Sequence, residues 1–151
     1  AMKGRTISEN KRARRNYDIE ATFEAGLVLV GTEVKSIREG SIDFKDSYAR
    51  IVNGELFLVG CHIAPYSHGN RMNHEPERPR KLLMKKREIK RLIGKIAERG
   101  YTLVPLKMYF NEKGIVKVNL GLGRGRTHSD KRAVIRDRDV QRDIAREMRR
   151  H

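Results

Sequence analysis

The dipeptide Asn53-Gly54 constrains the fold of this chain more than any other feature. The segments on either side are largely apolar, Tyr48-Ala-Arg-Ile-Val52 before the dipeptide and Glu55-Leu-Phe-Leu-Val59 after it. Asn-Gly accepts the two consecutive positive φ angles of a type I′ turn, whose twist matches that of a two-residue β-hairpin. The sequence therefore predicts a hairpin over residues 48–59, and with it an antiparallel sheet.

Similar short segments recur along the chain. Residues 17–23 alternate between apolar and polar side chains, and strand-like runs at 102–110 and 115–122 flank a turn signal. Residues 85–99 carry an apolar face at helical spacing, and a short helix is expected from Thr32, as its N-cap, to Arg38. The pattern predicts a mainly β fold, an OB-like closed antiparallel barrel of about six strands with two or three helices.

The net charge of +15 predicts strong attraction to a polyanion. The charge is uneven: residues 1–15 carry +5, residues 71–99 carry +7 and residues 121–151 carry +5, whereas the rest of the chain carries −2. This division favours surfaces built for nucleic acid. We expect a basic N-terminal arm over 1–15, a barrel domain over 16–122, and a basic hinge and C-terminal tail over 123–151.

The segment Gly121–Arg132 holds three glycines and four basic residues, which predicts a flexible cationic connection. It lacks the spacing of a Walker loop or a dinucleotide fingerprint, so it is either a linker or a backbone contact for RNA phosphate. Beyond it, Val140, Ile144 and Met148 form one narrow apolar stripe. Such a stripe offsets little ordering entropy, which predicts a tail that is disordered or loosely helical until a partner binds.

The residues favour binding over catalysis. Four potential metal ligands are close in sequence, namely Cys61, His62, His68 and His74. Their spacing does not match a zinc signature, so no metal or other cofactor is expected. No Ser, Cys or His stands in a nucleophile motif, and Glu24 and Glu33 are isolated carboxylates. The sequence therefore predicts a protein that is not an enzyme.

Composition also bears on the kind of RNA and on location. Aromatic residues make up only 6% of the chain, which favours recognition of folded RNA through shape, phosphate and 2′-hydroxyl groups. No apolar run approaches the length of a membrane span, and the N-terminus lacks the apolar centre of a signal peptide. A cytoplasmic protein is expected. A structural ribosomal protein with a barrel and basic extensions is compatible with the same composition.

Several motifs, in a fixed order, resemble the SmpB (small protein B) family, whose members are the protein partner of transfer-messenger RNA (tmRNA) in bacterial trans-translation. The two most specific are Gly31-Thr-Glu-Val-Lys-Ser-Ile-Arg38 and Arg80-Lys-Leu-Leu83. The others are Asn10-Lys-Arg-Ala-Arg14 with Tyr17, Phe23-Glu-Ala-Gly26, Asp46-Ser-Tyr48, Arg87-Glu-Ile89, Tyr109-Phe110, Lys117-Val118 and Asp130-Lys-Arg132.

The resemblance implies an OB-like barrel that grips the elbow of the tRNA-like domain of tmRNA. It also implies a tail that becomes helical in the vacant mRNA channel of a stalled ribosome, near small-subunit rRNA. Through tmRNA, alanyl-tRNA synthetase and an elongation factor with GTP are implied partners. The family is not enzymatic.

The resemblance also implies two sets of RNA-binding residues. Those expected to contact tmRNA are Glu24, Leu83, Lys85 and Lys117. Those expected to contact rRNA are Arg124, Arg126, Lys131 and Arg132. Leu83 is equally compatible with a place in the core. Relatives often carry an aromatic residue or His directly before the Asp-Lys-Arg sequence; here Ser129 occupies that position and His128 precedes it, which leaves open which of them takes a stacking role.

Overall fold

The computed structural model describes residues 5–67, 73–98 and 100–125, together with residues 144, 146 and 148. The helices of these ranges are α1 (Lys11–Asn16), α2 (Gly31–Arg38) and α3 (Lys86–Ala97). The strands are β1 (Arg5–Glu9), β2 (Tyr17–Leu27), β3 (Ile42–Asp43), β4 (Tyr48–Val52), β5 (Glu55–Val59), β6 (His62–Ile63), β7 (Arg80–Leu83), β8 (Tyr101–Phe110) and β9 (Val116–Gly125).

Six of the strands close into a ring. Their order is β8-β4-β5-β7-β2-β9, and β9 pairs back onto β8, so that every neighbouring pair is antiparallel. Alternate residues such as Leu58, Leu103 and Leu120 point inward and form the main core. Strand β1 adds to the second half of β8, and β3 pairs with β6 separately. The predicted mainly β, closed antiparallel architecture is confirmed.

The hairpin around Asn53-Gly54 is confirmed with its predicted bounds. Tyr48 pairs with Val59 at one end of the β4–β5 ladder, and Val52 pairs with Glu55 at the other. Asn53 has φ +51° and Gly54 has φ +76°, the positive angles that a type I′ turn requires. The backbone preferences of Asn53 and Gly54 were sufficient to predict the hairpin, because the turn itself sets the register of both strands.

The basic N-terminal segment is part of the sheet. Residues 5–9 pair with β8, and Asn10 links the strand to α1. The Asn10 side-chain amide donates to the Pro105 carbonyl oxygen at 2.8 Å, and its Oδ1 accepts from the Ala13 amide at 3.2 Å. Ala13 then covers Leu106 on the outer side of β8. Residues 5–15, predicted as part of a basic arm that precedes the barrel domain, therefore lie against the sheet, because Asn10 and Ala13 tie them to β8.

Residues 121–125 are the end of β9, where the sequence predicted the start of a flexible hinge. Here β9 is paired on both sides, with β2 and with β8. A Cβ atom at Gly123 would lie 2.3 Å from the Asp18 carbonyl oxygen, and one at Gly121 would lie 2.8 Å from Leu106 Cδ1. The glycines thus allow close packing and do not supply flexibility. The hinge prediction is wrong for these residues, and its remainder, 126–132, lies outside the described residues.

Helix α2 begins with a hydrogen bond to the Glu33 carboxylate, and the predicted Thr32 N-cap is wrong because Val30 occupies that position. Glu33 Oε1 accepts from the Val30 amide at 2.9 Å. A side chain in the first turn of the helix thus satisfies a backbone amide at the helix start. Thr32 Oγ1 lies instead 2.9 Å from His74 Nδ1, so its hydroxyl joins α2 to the segment before β7.

The Glu33 carboxylate is also the centre of a buried ion pair. Arg80 Nε lies 2.5 Å from Glu33 Oε2, and Arg78 Nη2 lies 2.6 Å from Oε1. Arg80, itself fully buried, also donates to the carbonyl oxygens of Cys61 at 2.8 Å and Pro76 at 3.0 Å. Burial raises the pKa of Glu33, but the hydrogen bond from Arg78 and the charge of Arg80 outweigh it, so the pKa lies below its ordinary value of 4.5.

Three residues of the C-terminal segment are described, and all of them are helical: Ile144, Arg146 and Met148. Ile144 is fully buried in a cluster with Phe57 and Val59 of β5. The sequence predicted a tail that is disordered or loosely helical when free. At Ile144 the segment is instead packed against the sheet.

Replacing Glu33 by Gln is expected to lower the free energy of unfolding by about 3–5 kcal/mol, because Arg80 would keep its charge in a buried site without a full counter-ion. Urea-induced unfolding measures the loss. The matched control is Glu77→Gln, since the Glu77 carboxylate is half-exposed and lies 3.2 Å from Lys45 Nζ. Loss of that surface pair should cost about 1 kcal/mol or less.

The same pair of variants tests the pH dependence. Because the folded-state pKa of Glu33 is depressed, its stabilisation is fully present above the unfolded value of 4.5 and is lost as the pH falls through the folded pKa. Below pH 4.5 the wild type should therefore lose more stability than Glu33→Gln. Equal losses for Glu33→Gln and Glu77→Gln at neutral pH would contradict the assignment.

Candidate RNA-binding surface

Three adjacent strands, β2, β9 and β8, present polar side chains on the outside of the ring. Lys117 of β9 lies opposite Gly26 of β2 on one side and opposite Tyr109 of β8 on the other. Glu24 lies two residues before Gly26 and therefore faces the same way. We call the surface formed by Glu24, Leu83, Lys107, Tyr109 and Lys117 the Lys117 face.

Leu83 and Lys117 both lie beside Gly26. A Cβ atom at Gly26 would lie 3.4 Å from Leu83 Cβ and 3.7 Å from Lys117 Nζ. Leu83 is 50% exposed, whereas its neighbour Leu82 is buried in the core. The sequence left open whether Leu83 lies in the core or on the surface. In the structure Leu83 lies on the surface. An exposed apolar side chain beside a lysine is suited to a nucleotide, which offers both a flat base and a phosphate.

Glu24 is held by Tyr109. The Tyr109 hydroxyl donates a hydrogen bond to Glu24 Oε2, and Lys107 Nζ lies 5.4 Å from the centre of the Tyr109 ring. Burial raises the pKa of Tyr109, and the hydrogen bond to Glu24 and the charge of that carboxylate raise it further. Tyr109 is therefore a hydrogen-bond donor at neutral pH, and it orients the Glu24 side chain on the surface.

Lys85 lies close in sequence to this face. It is exposed, and it occupies the N-cap position of α3, where its carbonyl oxygen accepts from the amides of Glu88 at 2.9 Å and Ile89 at 3.0 Å. Its backbone is fixed by the start of the helix, two residues beyond Leu83. The Lys85 side chain thus leaves the chain between β7 and α3, at a backbone position held by these two hydrogen bonds.

A second basic group lies at the far end of β9. Arg124 is exposed, and its guanidinium lies 4.6 Å from the centre of the Tyr101 ring. Lys95 Nζ of α3 lies 5.1 Å from the centre of the same ring, and the Tyr101 hydroxyl donates to Glu20 at 2.7 Å. The structure therefore separates Arg124 from Lys117, at the two ends of one strand. The other predicted rRNA contacts, Arg126, Lys131 and Arg132, lie outside the described residues.

Sequence reasoning missed Tyr109 and Lys107 as members of the site. The signal was present, because 107 and 109 alternate along β8 with the buried Met108 and Phe110. What the sequence lacked was the register that pairs Tyr109 with Lys117 across β8 and β9. That register depends on a bulge between Pro105 and Lys107, where proline offers no amide to the ladder.

The potential metal ligands that the structure describes, Cys61, His62 and His74, do not form a metal site. The Cys61 thiol is buried, and burial raises its pKa to about 12 against the partly compensating charge of Arg80. His74 is engaged by Thr32 and, at 2.8 Å from Nε2, by the Ile63 carbonyl oxygen. Among the residues that the structure describes, no group of three or more His, Cys, Asp or Glu side chains could hold a metal ion. His68 lies outside that set.

No helix within the described ranges is both long enough and apolar enough to cross a membrane.

A family model described as SmpB protein matches residues 7–150. The chain belongs to the SmpB family. Among curated relatives, the SsrA-binding protein of Moorella thermoacetica is 57% identical over 145 residues, which are 96% of this chain and 94% of the relative. The SsrA-binding protein of Symbiobacterium thermophilum is 55% identical over 143 residues, 95% of this chain and 90% of the relative.

A solved structure supports the same membership. One chain of the structure described as "tmRNA-SmpB: a journey to the center of the bacterial ribosome" is 54% identical to this protein and superposes with a TM-score of 0.68. The match covers 82% of this chain and 87% of the solved one. The six-stranded ring described above is therefore the fold of an SmpB family member.

The contact between Tyr109 and Glu24 can be tested by titration. Replacing Glu24 by Gln should lower the pKa of Tyr109 towards the ordinary tyrosine value of 10.0, because the negative charge that opposes tyrosinate is removed. NMR of isotope-labelled tyrosine rings follows the ionisation residue by residue. Glu112→Gln, in the exposed β8–β9 turn, should leave the titration unchanged. An unshifted Tyr109 in Glu24→Gln would contradict the contact.

Proposed function

We propose that this protein binds the tRNA-like domain of tmRNA and delivers it to stalled ribosomes in trans-translation. The observation that carries the proposal is the Lys117 face, on which an exposed apolar side chain, a lysine and an oriented carboxylate lie together on a rigid sheet. The curated relatives are named SsrA-binding proteins, and the solved relative is described with tmRNA and the bacterial ribosome. A structural ribosomal protein, the alternative that composition allowed, has no support from these relatives.

Each group on the face suits a different part of folded RNA. Lys117 and Lys85 are cations for backbone phosphate, which contributes affinity and salt dependence. Leu83 provides an apolar contact for a base or ribose that leaves the helical stack. Glu24 has a second carboxylate oxygen besides the one that Tyr109 binds, and it can accept from a base amino group or a 2′-hydroxyl. This combination favours a structured RNA surface over a loose single strand.

The second basic group and the tail extend the proposal to the ribosome. Arg124, with Arg126, Lys131 and Arg132, is proposed to contact small-subunit rRNA. The segment from residue 133 onward is proposed to enter the vacant mRNA channel as a helix. Alanyl-tRNA synthetase and an elongation factor with GTP are proposed to act on the tmRNA that the protein holds.

We also infer that the protein works by binding and carries out no reaction of its own. The two carboxylates weighed above as catalytic candidates are engaged in structural contacts, Glu33 with two arginines and Glu24 with Tyr109. Its thiol is buried and its pKa is raised, so the reactive thiolate is scarce at neutral pH. A ribosomal role places the protein in the cytoplasm.

Replacing Lys117 by Gln should weaken binding of the tRNA-like domain by about tenfold and reduce the slope of log affinity against log salt by about one, as expected for one lost phosphate contact. Gel shifts at several salt concentrations give both quantities. The matched control is Lys113→Gln, a lysine in the exposed β8–β9 turn that lies outside the Lys117 face. If the wild type binds an unrelated RNA hairpin as tightly as a tRNA-like domain with an intact elbow, the proposal is wrong.

Removing residues 133–151 should leave tmRNA binding within about threefold of wild type, because the Lys117 face lies on β2, β7, β8 and β9, which the deletion does not remove. Peptide tagging on stalled ribosomes should be abolished. Gel shifts and a reconstituted tagging reaction measure the two effects, and a thermal melt of the shortened chain checks that the sheet is intact. A large loss of tmRNA affinity would show that the tail belongs to the RNA-gripping part.

A further inference from the structure

Helix α3 packs on the ring through one side and presents a basic side to solvent. Leu92 is 1% exposed, and the partly buried Ile96 packs with it in the main core. The residues on the other side of the helix are exposed, and at a period of 3.6 residues per turn its cations fall together. These cations are Lys86, Arg87, Lys90 and Arg91. We call these four residues the α3 basic face.

The cations of the α3 basic face lack carboxylate partners. Elsewhere on the surface, Lys45 Nζ lies 3.2 Å from a Glu77 oxygen, and at the end of α3 Lys95 Nζ lies 3.7 Å from a Glu98 oxygen. None of the four members of the α3 basic face forms an ion pair with another residue that the structure describes. Their charge can therefore be neutralised by a partner.

This arrangement of charge costs the free helix stability. Lys86 and Lys90 are four residues apart, as are Arg87 and Arg91, and like charges at that spacing repel each other. Lys86 and Arg87 also lie in the first turn, where the positive end of the helix dipole disfavours cations. A chain of anionic groups laid along the α3 basic face would relieve both repulsions.

Gly94 extends the same side of the helix. It follows Lys90 by four residues and Arg91 by three. Its backbone is that of a regular helix, and a Cβ atom at Gly94 would meet no described atom within 4 Å. Glycine inside a helix is less stable than alanine, and neither packing nor a positive φ angle accounts for it here. What glycine offers at this position is an uncovered backbone that a large partner can approach closely.

The partner that fits this face is a nucleic-acid backbone. A basic helix that binds a membrane inserts its apolar side, but Leu92 on that side of α3 is buried in the core. Continuity favours RNA. Lys86 follows directly after Lys85, and Leu83 of the Lys117 face is three residues before it. Positive charge thus continues from the Lys117 face along a helix of 12 residues, about 18 Å long.

We propose that the α3 basic face binds the sugar–phosphate backbone of the same RNA that the Lys117 face holds, with Gly94 as the point of closest approach. The inference rests on the proposed function, which makes that RNA tmRNA. Lysines bind phosphate as point charges, whereas Arg87 and Arg91 can each donate two hydrogen bonds to one phosphate. Such contacts add affinity and fix orientation without reading sequence.

A double variant, Lys90→Gln with Arg91→Gln, tests the charge contact in gel shifts with full-length tmRNA at several salt concentrations. Binding should weaken by about tenfold or more, and the slope of log affinity against log salt should fall by about two. The free variant should melt at a higher temperature than wild type, because like charges are removed from the helix. A loss of binding that accompanies a gain in stability separates an RNA contact from a structural role.

The matched control is Lys45→Gln with Lys113→Gln. It removes the same charge from two exposed positions outside both faces. It should keep the affinity for tmRNA within about threefold of wild type and reduce the salt slope by less than the α3 double variant does.

Gly94→Gln tests the close approach without changing charge. Glutamine is the better helix former, so the melting temperature should not fall. The long side chain should nevertheless weaken tmRNA binding several-fold and leave the salt slope as in wild type. Gly94→Ala, which adds only a methyl group, should raise the melting temperature and weaken binding less than Gly94→Gln does.

Three outcomes are informative in the other direction. If Lys117→Gln weakens tmRNA binding while the α3 double variant keeps wild-type affinity and slope, the inference is wrong and the proposed function stands. If the double variant loses affinity for ribosomal subunits but not for tmRNA, the face belongs to rRNA and the inference is again wrong. If the wild type binds tmRNA no more tightly than an unrelated RNA hairpin, the proposed function fails, and the inference fails with it.

Discussion

The buried ion pair between Glu33 and Arg80 is the interaction on which the rest of the structure depends. Two opposite charges that are removed from water are stable only when they pair with each other and when their remaining hydrogen-bonding groups also have partners. Here the requirement joins the start of α2 to β7, and Arg80 also donates to the carbonyl oxygens of Cys61 and Pro76, which both precede it in the chain. The two segments with the most specific resemblance to the SmpB family, 31–38 and 80–83, are thus the two halves of one contact.

The ion pair also explains how a short strand can hold a functional side chain in place. Strand β7 has four residues, too few for pairing alone to fix its register firmly. Arg80 anchors its first residue in the core, and Leu82 fills the next inward position. Leu83 is consequently presented outward at Gly26, next to Lys117. The proposed RNA contact at Leu83 therefore depends on the buried ion pair between Glu33 and Arg80, whose disruption is expected to cost the protein much of its stability.

Features that depend on neighbours in sequence could be predicted, and features that depend on distant strands could not. The hairpin at Asn53-Gly54 follows from the backbone preferences of two residues. The strand at Gly121–Gly125 does not, because its glycines are needed only where Asp18 and Leu106 come close. Likewise, polar composition alone could not show that Asn10 is buried. The Lys117 face was half predicted: its lysine and glutamate came from the family resemblance, but the partner of Glu24 lies 85 residues away. The RNA contacts themselves stay predictions.

Strand β9 fixes the distance between two basic residues. Lys117 and Arg124 are seven positions apart, and an extended strand rises about 3.3 Å per residue, so their Cα atoms stand roughly 23 Å from each other, with the two side chains on opposite faces of the strand. Gly121 and Gly123, packed between them without side chains, prevent the strand from sliding in its register. Inserting or deleting one residue between them would shift this spacing by about 3 Å and bring the two side chains to the same face of the strand. A polyanion that binds both must therefore reach two different faces of β9 at this fixed interval, so both distance and direction become elements of selectivity.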